Sequence, residues 1–246
     1  MSPAFVFLHG GGQGGWVWDE TIAALALQTG GAVRCLALDG PGCGARRVQD
    51  TTAMTFADVT RALLDDVVAA GFEGAVLVGH SQAGVHMPHM VELAPGLFRK
   101  LVFVTCSTPL PGWTITEQMG DDIVHGEDPD RIGWPVAGGT AMAERYRAMF
   151  CNDMSAAQTA AFFARMQGDM WPACCYAHRD WRYGHLRGHD TSYVLCERDL
   201  SLPVEWQERF ARRFHARRVY RLDAGHQAMT TRPQALAEIL LAEAAR

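Results

Sequence analysis

Lysine is almost absent from this chain: Lys100 is the only one, so the 22 Lys and Arg residues comprise 21 arginines. A reaction that needs an active-site lysine therefore has one candidate, in Phe98-Arg99-Lys100 ahead of a β-rich run. Long apolar runs are missing too. None approaches the roughly 20 residues that span a bilayer, so no membrane-crossing role is expected. There is no basic block and the net charge is −5, which argues against nucleic acid as a partner. The seven cysteines lack metal-ligand spacing. Even with the adjacent pair Cys174-Cys175, they read as reduced thiols of a cytoplasmic protein. The opening residues enter a strand by Ala4 without the basic, apolar, small-residue order of a secretion signal.

What is present is an ordinary globular composition: 246 residues, 48% hydrophobic and 20% charged, enough for one domain with a full core. Short β-rich runs at 4–8, 33–38, 75–78, 101–105, 192–196 and 217–222 alternate with longer amphipathic stretches. That rhythm predicts an α/β fold: a six-stranded, mostly parallel sheet with helices on both faces. Helical patterns cover 56–70, 205–214 and 234–244, with Pro203 and Pro233 suited to first turns. Residues 107–189 break the rhythm. They open with Pro109, Pro111 and Gly112, carry helical patterns at 141–150 and 156–166, and hold Trp113, Trp134, Trp171 and Trp181. This segment reads as an insertion into a core made of 1–106 and 190–246. Its aromatic surface serves either a small helical core of its own or, the reading preferred here, a cap whose underside lines a pocket.

The sharpest local signal is Val76-Leu77-Val78-Gly79-His80-Ser81-Gln82-Ala83-Gly84. A β-run feeds into Gly-x-Ser-x-Ala and then into helix-compatible residues, the order of a strand, a sharp elbow and a helix. At such an elbow the serine backbone is strained and strand meets helix closely, so residues two before and two after must be small. Gly79 and Ala83 satisfy that. His80 is read as a packing residue turned away from the serine. Serine needs a general base, and the base an orienting acid. His226 follows the last expected strand and Asp199 the one before it, at the carboxyl ends where open α/β sheets place their sites. Asp223 would sit inside the turn and Glu197 on the opposite strand face, so neither competes. His86 and His89 lie three apart with Pro88 between them, a poor metal pair, and no metal site is expected.

After the first strand comes Phe7-Leu8-His9-Gly10-Gly11-Gly12-Gln13-Gly14-Gly15-Trp16-Val17-Trp18. It lacks both the Lys-Ser/Thr ending of a phosphate loop and the spacing of a dinucleotide fingerprint. Beside a serine elbow, its better use is an oxyanion hole, with donors assigned to the backbone N–H of Gly11 and of Gln82.

His-Gly-x-x-x-Gly-Gly-Trp-x-Trp at 9–18, the Gly-His-Ser elbow, Arg-Asp-x-x-x-Pro around Asp199 and Ala-Gly-His at 224–226 together resemble one family. It is the α/β-hydrolase group of plant methylesterases, hydroxynitrile lyases and small bacterial esterases. The resemblance is close in the flanking segments and looser in the insertion, where Phe150-Cys151-Asn152-Asp153 before a helix carries it. It implies a helical cap, a Ser81-His226-Asp199 triad and no cofactor. Its lyase members use a lysine directly after the histidine and a threonine after the histidine of the first loop. Here Gln227 and Gly10 stand at those positions and Lys100 maps elsewhere, so lyase chemistry is disfavoured. Epoxide hydrolases and dehalogenases of this fold carry an aspartate where this chain has Ser81.

The expectation is thus a serine esterase acting on a small carboxylic ester, apolar or aromatic in character. Candidate pocket residues are His9, Gly10, Trp18, Trp113, Trp134 and Gln227. The same His-Asp dyad could instead serve a lactonase, thioesterase, carbon–carbon hydrolase or cofactor-free oxygenase, and relatives of the fold also act as non-catalytic receptors. Arg179, Arg182 and Arg187 form either a solvated charged loop or a clamp for a substrate carboxylate.

Overall fold

The computed structural model describes residues 2–246. Its strands are β1 (Ala4–Leu8), β2 (Arg34–Leu38), β3 (Ala75–His80), β4 (Phe98–Val104), β5 (Thr191–Cys196) and β6 (Arg218–Leu222). They form one sheet in the order β2-β1-β3-β4-β5-β6. Every neighbouring pair is parallel, so the expected mostly parallel sheet is parallel throughout.

Both faces are apolar, and alternation along each strand sorts the residues between two cores. Val6, Leu8, Leu77, Leu101, Phe103, Tyr193 and Leu195 share one core. Phe5, Phe7, Val76, Val78, Val102, Val104 and Val194 belong to the other. The second core is closed by α1 (Asp19–Gln28) and later by α10. On the first lies α2 (Phe56–Ala69), which buries Phe56, Val59, Leu63 and Val67 along one stripe. Thr55 starts that helix as a capping box with Asp58, satisfying backbone donors that the first turn leaves free. On the same face lies α3 (Ala83–Leu93), directly after the elbow.

Between β4 and β5 the chain makes α4 (Ile115–Met119), α5 (Met142–Phe150), α6 (Ala156–Arg165) and α7 (Ala173–Ala177). Ser155 caps α6 with Gln158. This connection has a small apolar cluster of its own in Met149, Phe150, Cys151 and Phe162. It also drives Trp171 and Trp181 into the main core. Its aromatic residues thus build a small core of their own and also enter the main one. After β5 come α8 (Val204–Arg213) on the first face, α9 (Ala228–Thr231), and α10 (Pro233–Ala244) on the second.

Strand β4 begins at Phe98, ahead of the apolar run that predicted it, because polar residues pair there. Lys100 is 2% exposed and donates to the Glu243 carbonyl oxygen at 2.6 Å. Its ammonium also lies 3.2 Å from the Glu243 carboxylate and 3.1 Å from Asp190. The one lysine thus sits at the amino end of the sheet. Roughly 3.3 Å of rise per residue separates it by about 13 Å from the carboxyl end of β4, four residues on.

The strand order reverses at β1. The chain leaves β1 outward to β2 and returns across it to β3, so the loops after β1 and β3 part and leave a crevice between them. No helix among the described residues is long and apolar enough to cross a membrane. All seven cysteines are free thiols.

Candidate active site

The elbow is built as its small residues predict. Ser81 has φ 52°, a left-handed conformation that costs a non-glycine residue of order 1–3 kcal/mol. A Cβ on Gly79 would lie 2.2 Å from Met87 Sδ and 2.8 Å from Ala83 Cβ, so only glycine fits there. The Ser81 backbone is clamped to the end of β4 and the segment after it: its N–H donates to Val104 (3.2 Å) and its carbonyl accepts from Ser107 (3.1 Å).

From this tip the hydroxyl faces His226 Nε2 at 3.0 Å. His226 Nδ1 donates to Asp199 Oδ2 at 2.7 Å. Asp199 is almost fully buried, and three further donors converge on its carboxyl group. Thr105 Oγ1 reaches Oδ2 at 2.5 Å, while the N–H groups of Ser201 and Leu202 reach Oδ1 at 2.7 and 3.0 Å. Such charge-assisted bonds fix the carboxylate, which in turn fixes the imidazole with its proton on Nδ1 and its lone pair toward Ser81. The rejected carboxylates lie outside: Asp223 is exposed and paired with Arg198, and Glu197 pairs with Arg221.

Two residues play parts that the sequence did not disclose. His80 is not a bystander: its Nε2 donates to the main-chain carbonyl of His226 at 2.9 Å, with the two rings 4.6 Å apart. Burial, followed by the neighbouring His226, pushes its pKa well below 6.5, which suits a neutral ring donating one N–H. Thr105 is the other. Its φ of 38° turns the end of β4 so that the hydroxyl meets Asp199. Adjacency to the elbow was the only available hint for His80; nothing marked Thr105.

Gly11 and Gln82 straddle the crevice beside Ser81. Among the described residues, neither backbone N–H donates to a protein acceptor. Helix α3 begins one residue after Gln82, so its positive end points into the same space. Gly10 is pressed against the elbow; a Cβ there would meet His80 Nδ1 and Ser81 Cβ, each at 2.9 Å.

Ser81 and His226 open onto a cavity of about 430 Å³, within the range of small-molecule sites. The β4–β5 connection supplies most of the wall, including Trp134, Tyr146, Phe150, Phe163, Met166 and Tyr176. Of the expected pocket residues, Trp134 lines it; the others do not. Trp18 is buried on the far face, its ring 4.8 Å from Phe7. His9 is sealed behind the first loop, where its Nε2 accepts from Gly40 N–H at 3.1 Å. Gly10 faces the elbow. Gln227 turns inward, its amide fully buried and without a hydrogen-bond partner among the described residues. Trp113 lies outside the lining, under the Arg131 guanidinium at 5.3 Å.

Two carboxylates, Asp121 and Asp169, reach the cavity wall, and no Lys or Arg does. Arg179 is paired with Glu117 at 2.7 Å and Arg182 with Asp180 at 2.8 Å, so the suggested arginine clamp is a charged surface loop. His86, between Trp171 and Phe56 in a stack of rings, is held down at about 3 by burial. No cluster of three or more possible metal ligands occurs among the described residues.

The chain matches the model of the alpha/beta hydrolase family over residues 5–239. It belongs to that family. Polyneuridine aldehyde esterase of Rauvolfia serpentina is 26% identical over 96% of this chain and 94% of its own length. Methylesterase 7 of Arabidopsis thaliana is 25% identical, with the same shares covered. Among solved structures, an extracellular alpha/beta-hydrolase from a Paenibacillus species superposes with a TM-score of 0.76 at 20% identity, covering 98% of each chain. The methylesterase-like group of alpha/beta hydrolases is thus the setting of this sheet and elbow.

Proposed function

We propose that this hydrolase cleaves carboxylic esters by acyl transfer through Ser81 to water. His226 takes the proton from Ser81 Oγ as the hydroxyl attacks the ester carbonyl, then passes it to the departing alcohol. Asp199 holds the imidazole tautomer and stabilises the cation that forms transiently. The N–H groups of Gly11 and Gln82 receive the oxyanion of the tetrahedral state, a contribution of about 3 kcal/mol for each well-aimed donor. Water then repeats the attack on the acyl-enzyme with the same base, releasing the acid.

The observation that carries this reading is the continuous relay from Asp199 through His226 to Ser81, ending at a half-buried hydroxyl in an apolar cavity. The relatives support ester chemistry by name, and the methylesterase among them supports a short alcohol as leaving group. The insertion acts as a cap over the acyl portion. Its aromatic and Met-rich wall suits an apolar or aromatic acyl group, and the lack of a lining cation suits one without a free carboxylate.

Hydrolysis of 4-nitrophenyl and methyl esters by the wild type and by Ser81→Ala and His226→Ala tests the proposal. Both variants should stay folded and lose at least roughly 10³-fold in kcat, as removal of a nucleophile or base does. A fluorophosphonate should add its mass at Ser81 alone. Retained turnover in Ser81→Ala would overturn the assignment.

A further inference from the structure

We propose that Trp171, carried by the β4–β5 connection, is a positioning residue for the oxyanion-binding N–H of Gly11. The inference rests on the ester-hydrolase reading above. A trans peptide is rigid and planar, so the Gly10 carbonyl and the Gly11 N–H point in opposite directions from one plate. Whatever grips that carbonyl aims that amide.

The loop cannot aim it unaided. Gly10, Gly11 and Gly12 follow one another, Gly12 lies at φ 69°, and a run of glycines has the broadest conformational freedom of any sequence. Two side chains converge on the Gly10 oxygen. His9 Nδ1 donates to it at 2.8 Å and Trp171 Nε1 at 3.2 Å. The His9 donor is fixed because its other nitrogen accepts from Gly40 N–H.

The indole is itself immobilised. Trp171 is 1% exposed and stacks between His9, at 4.8 Å, and His86, at 4.3 Å. Gly40 gives it room, since a Cβ there would lie 2.3 Å from the ring. The residues before it are tied down as well. Met170 N–H donates to Gly42 at 3.1 Å, and the Asp169 carboxylate accepts from Gly44 N–H and Arg47, both at 2.8 Å. The ring plugs the core while its nitrogen reaches the plate that carries the amide.

Two variants separate the N–H from the ring. Trp171→Phe keeps an aromatic ring in the stack and deletes the donor; 3-benzothienylalanine at position 171 keeps the bicyclic shape and deletes only the donor. Kinetics on a 4-nitrophenyl ester should show kcat lowered about tenfold in both, with KM within twofold of wild type. That is a fraction of the 10²–10³ that follows outright loss of an oxyanion donor. The affinity of a trifluoromethyl ketone, which mimics the tetrahedral state, should fall by the same factor, while a ground-state product acid should bind unchanged. Unaltered kcat and ketone affinity in the benzothienyl variant would overturn the proposal. So would equal losses in kcat and product-acid affinity, the pattern of a collapsed pocket. Fluorophosphonate labelling of Ser81 in each variant keeps the test distinct from that of the parent reading. If Ser81 is not the nucleophile, wild type and variants alike fail to label.

Discussion

Asp153 offers the most direct test of whether the β4–β5 connection holds the reacting groups or merely covers them. Its side chain is 2% exposed, and one oxygen, Oδ2, accepts from Gly225 N–H at 2.8 Å and Thr231 Oγ1 at 2.9 Å. Gly225 immediately precedes His226, and Thr231 ends the short helix that follows. Both sides of the histidine are therefore fastened to one carboxylate. Next to it, Asn152 Nδ2 donates to the Arg198 carbonyl at 2.7 Å, one residue before Asp199. Phe150, at the end of α5, lies against the His226 ring at 5.6 Å.

Replacing Asp153 by alanine removes two hydrogen bonds to a charged group, each worth about 1.5–3 kcal/mol, and leaves the buried Gly225 amide unpaired. Relief of the carboxylate's own desolvation offsets part of this, leaving a net loss of about 2–3 kcal/mol. In a chain of this size that lowers Tm by about 4–12 °C. Activity should fall further than stability implies. A displacement of about 1 Å in His226 can cost on the order of 10²-fold, so kcat should drop between about 10- and 100-fold at 25 °C with KM little changed. Asp153→Asn presents one oxygen to the same two donors and should recover most of both losses. Differential scanning calorimetry beside steady-state ester kinetics reads the two effects separately. An alanine variant with wild-type kcat would refute the reasoning, as would an asparagine variant as impaired as the alanine one.

Two further outcomes follow from charge. Asp169 is neutralised by Arg47, whereas Asp121 forms no ion pair among the described residues, so the cavity carries an uncompensated negative charge. Across isosteric esters bearing a carboxylate, no charge or a trimethylammonium group, kcat/KM should rise in that order. Each step should be roughly fivefold, about 1 kcal/mol for a partly screened pair, and Asp121→Asn should flatten the series; a carboxylate ester turned over best would contradict this. At the opposite end of the sheet, burial pushes the Glu243 carboxyl up, but bonds from Arg218, Tyr220, Ser192 and Lys100 prevail and hold it at about 2 against a usual 4.5. A carboxyl depressed on folding stabilises the native state fully above its unfolded value, and that stability drains away as pH falls from about 4.5 toward 2. Urea midpoints of wild type and Glu243→Gln should therefore differ most at neutral pH and converge through that window. A gap independent of pH would show that the network does not act through Glu243 ionisation.

The sheet and the convergence of Ser81, His226 and Asp199 were legible in the sequence for the same reason: both are written in residue types at strand ends. A parallel strand covered on both faces must be apolar, so 4–8 and 75–78 stand out, and the proposed acyl transfer at the carboxyl ends calls for a serine, a histidine and a carboxylate there. Strand β4 was cut short because Arg99 and Lys100 look like a loop until Glu243 and Asp190 arrive from distant segments. The one-turn helices α4, α7 and α9 were missed because so short a helix is set by its surroundings, with little periodicity to read. The pocket was the least legible part. Trp18 and Trp134 are equally plausible as wall residues by composition, yet one faces the core beneath β1 and the other the cavity. Only the direction of the side chain separates them, and no local pattern encodes it.

The connection that resisted reading is also where the arrangement is most constrained. A relay of three side chains tolerates little displacement, yet each of them stands on a loop, and loops are the freest parts of a fold. The strands fix where each loop begins; they cannot fix the orientation of a glycine peptide or an imidazole several residues later. That control comes from residues 149–171, which reach the first loop through Trp171, the Asp199 loop through Asn152 and the Met149 carbonyl, and the His226 turn through Asp153. Met149, Phe150 and Met166 of this same segment also line the cavity proposed to take the substrate. On that proposal, recognition and alignment share one piece of chain. Substitutions that reshape its wall to admit a different acyl group should therefore change kcat as well as KM, even where they never touch Ser81.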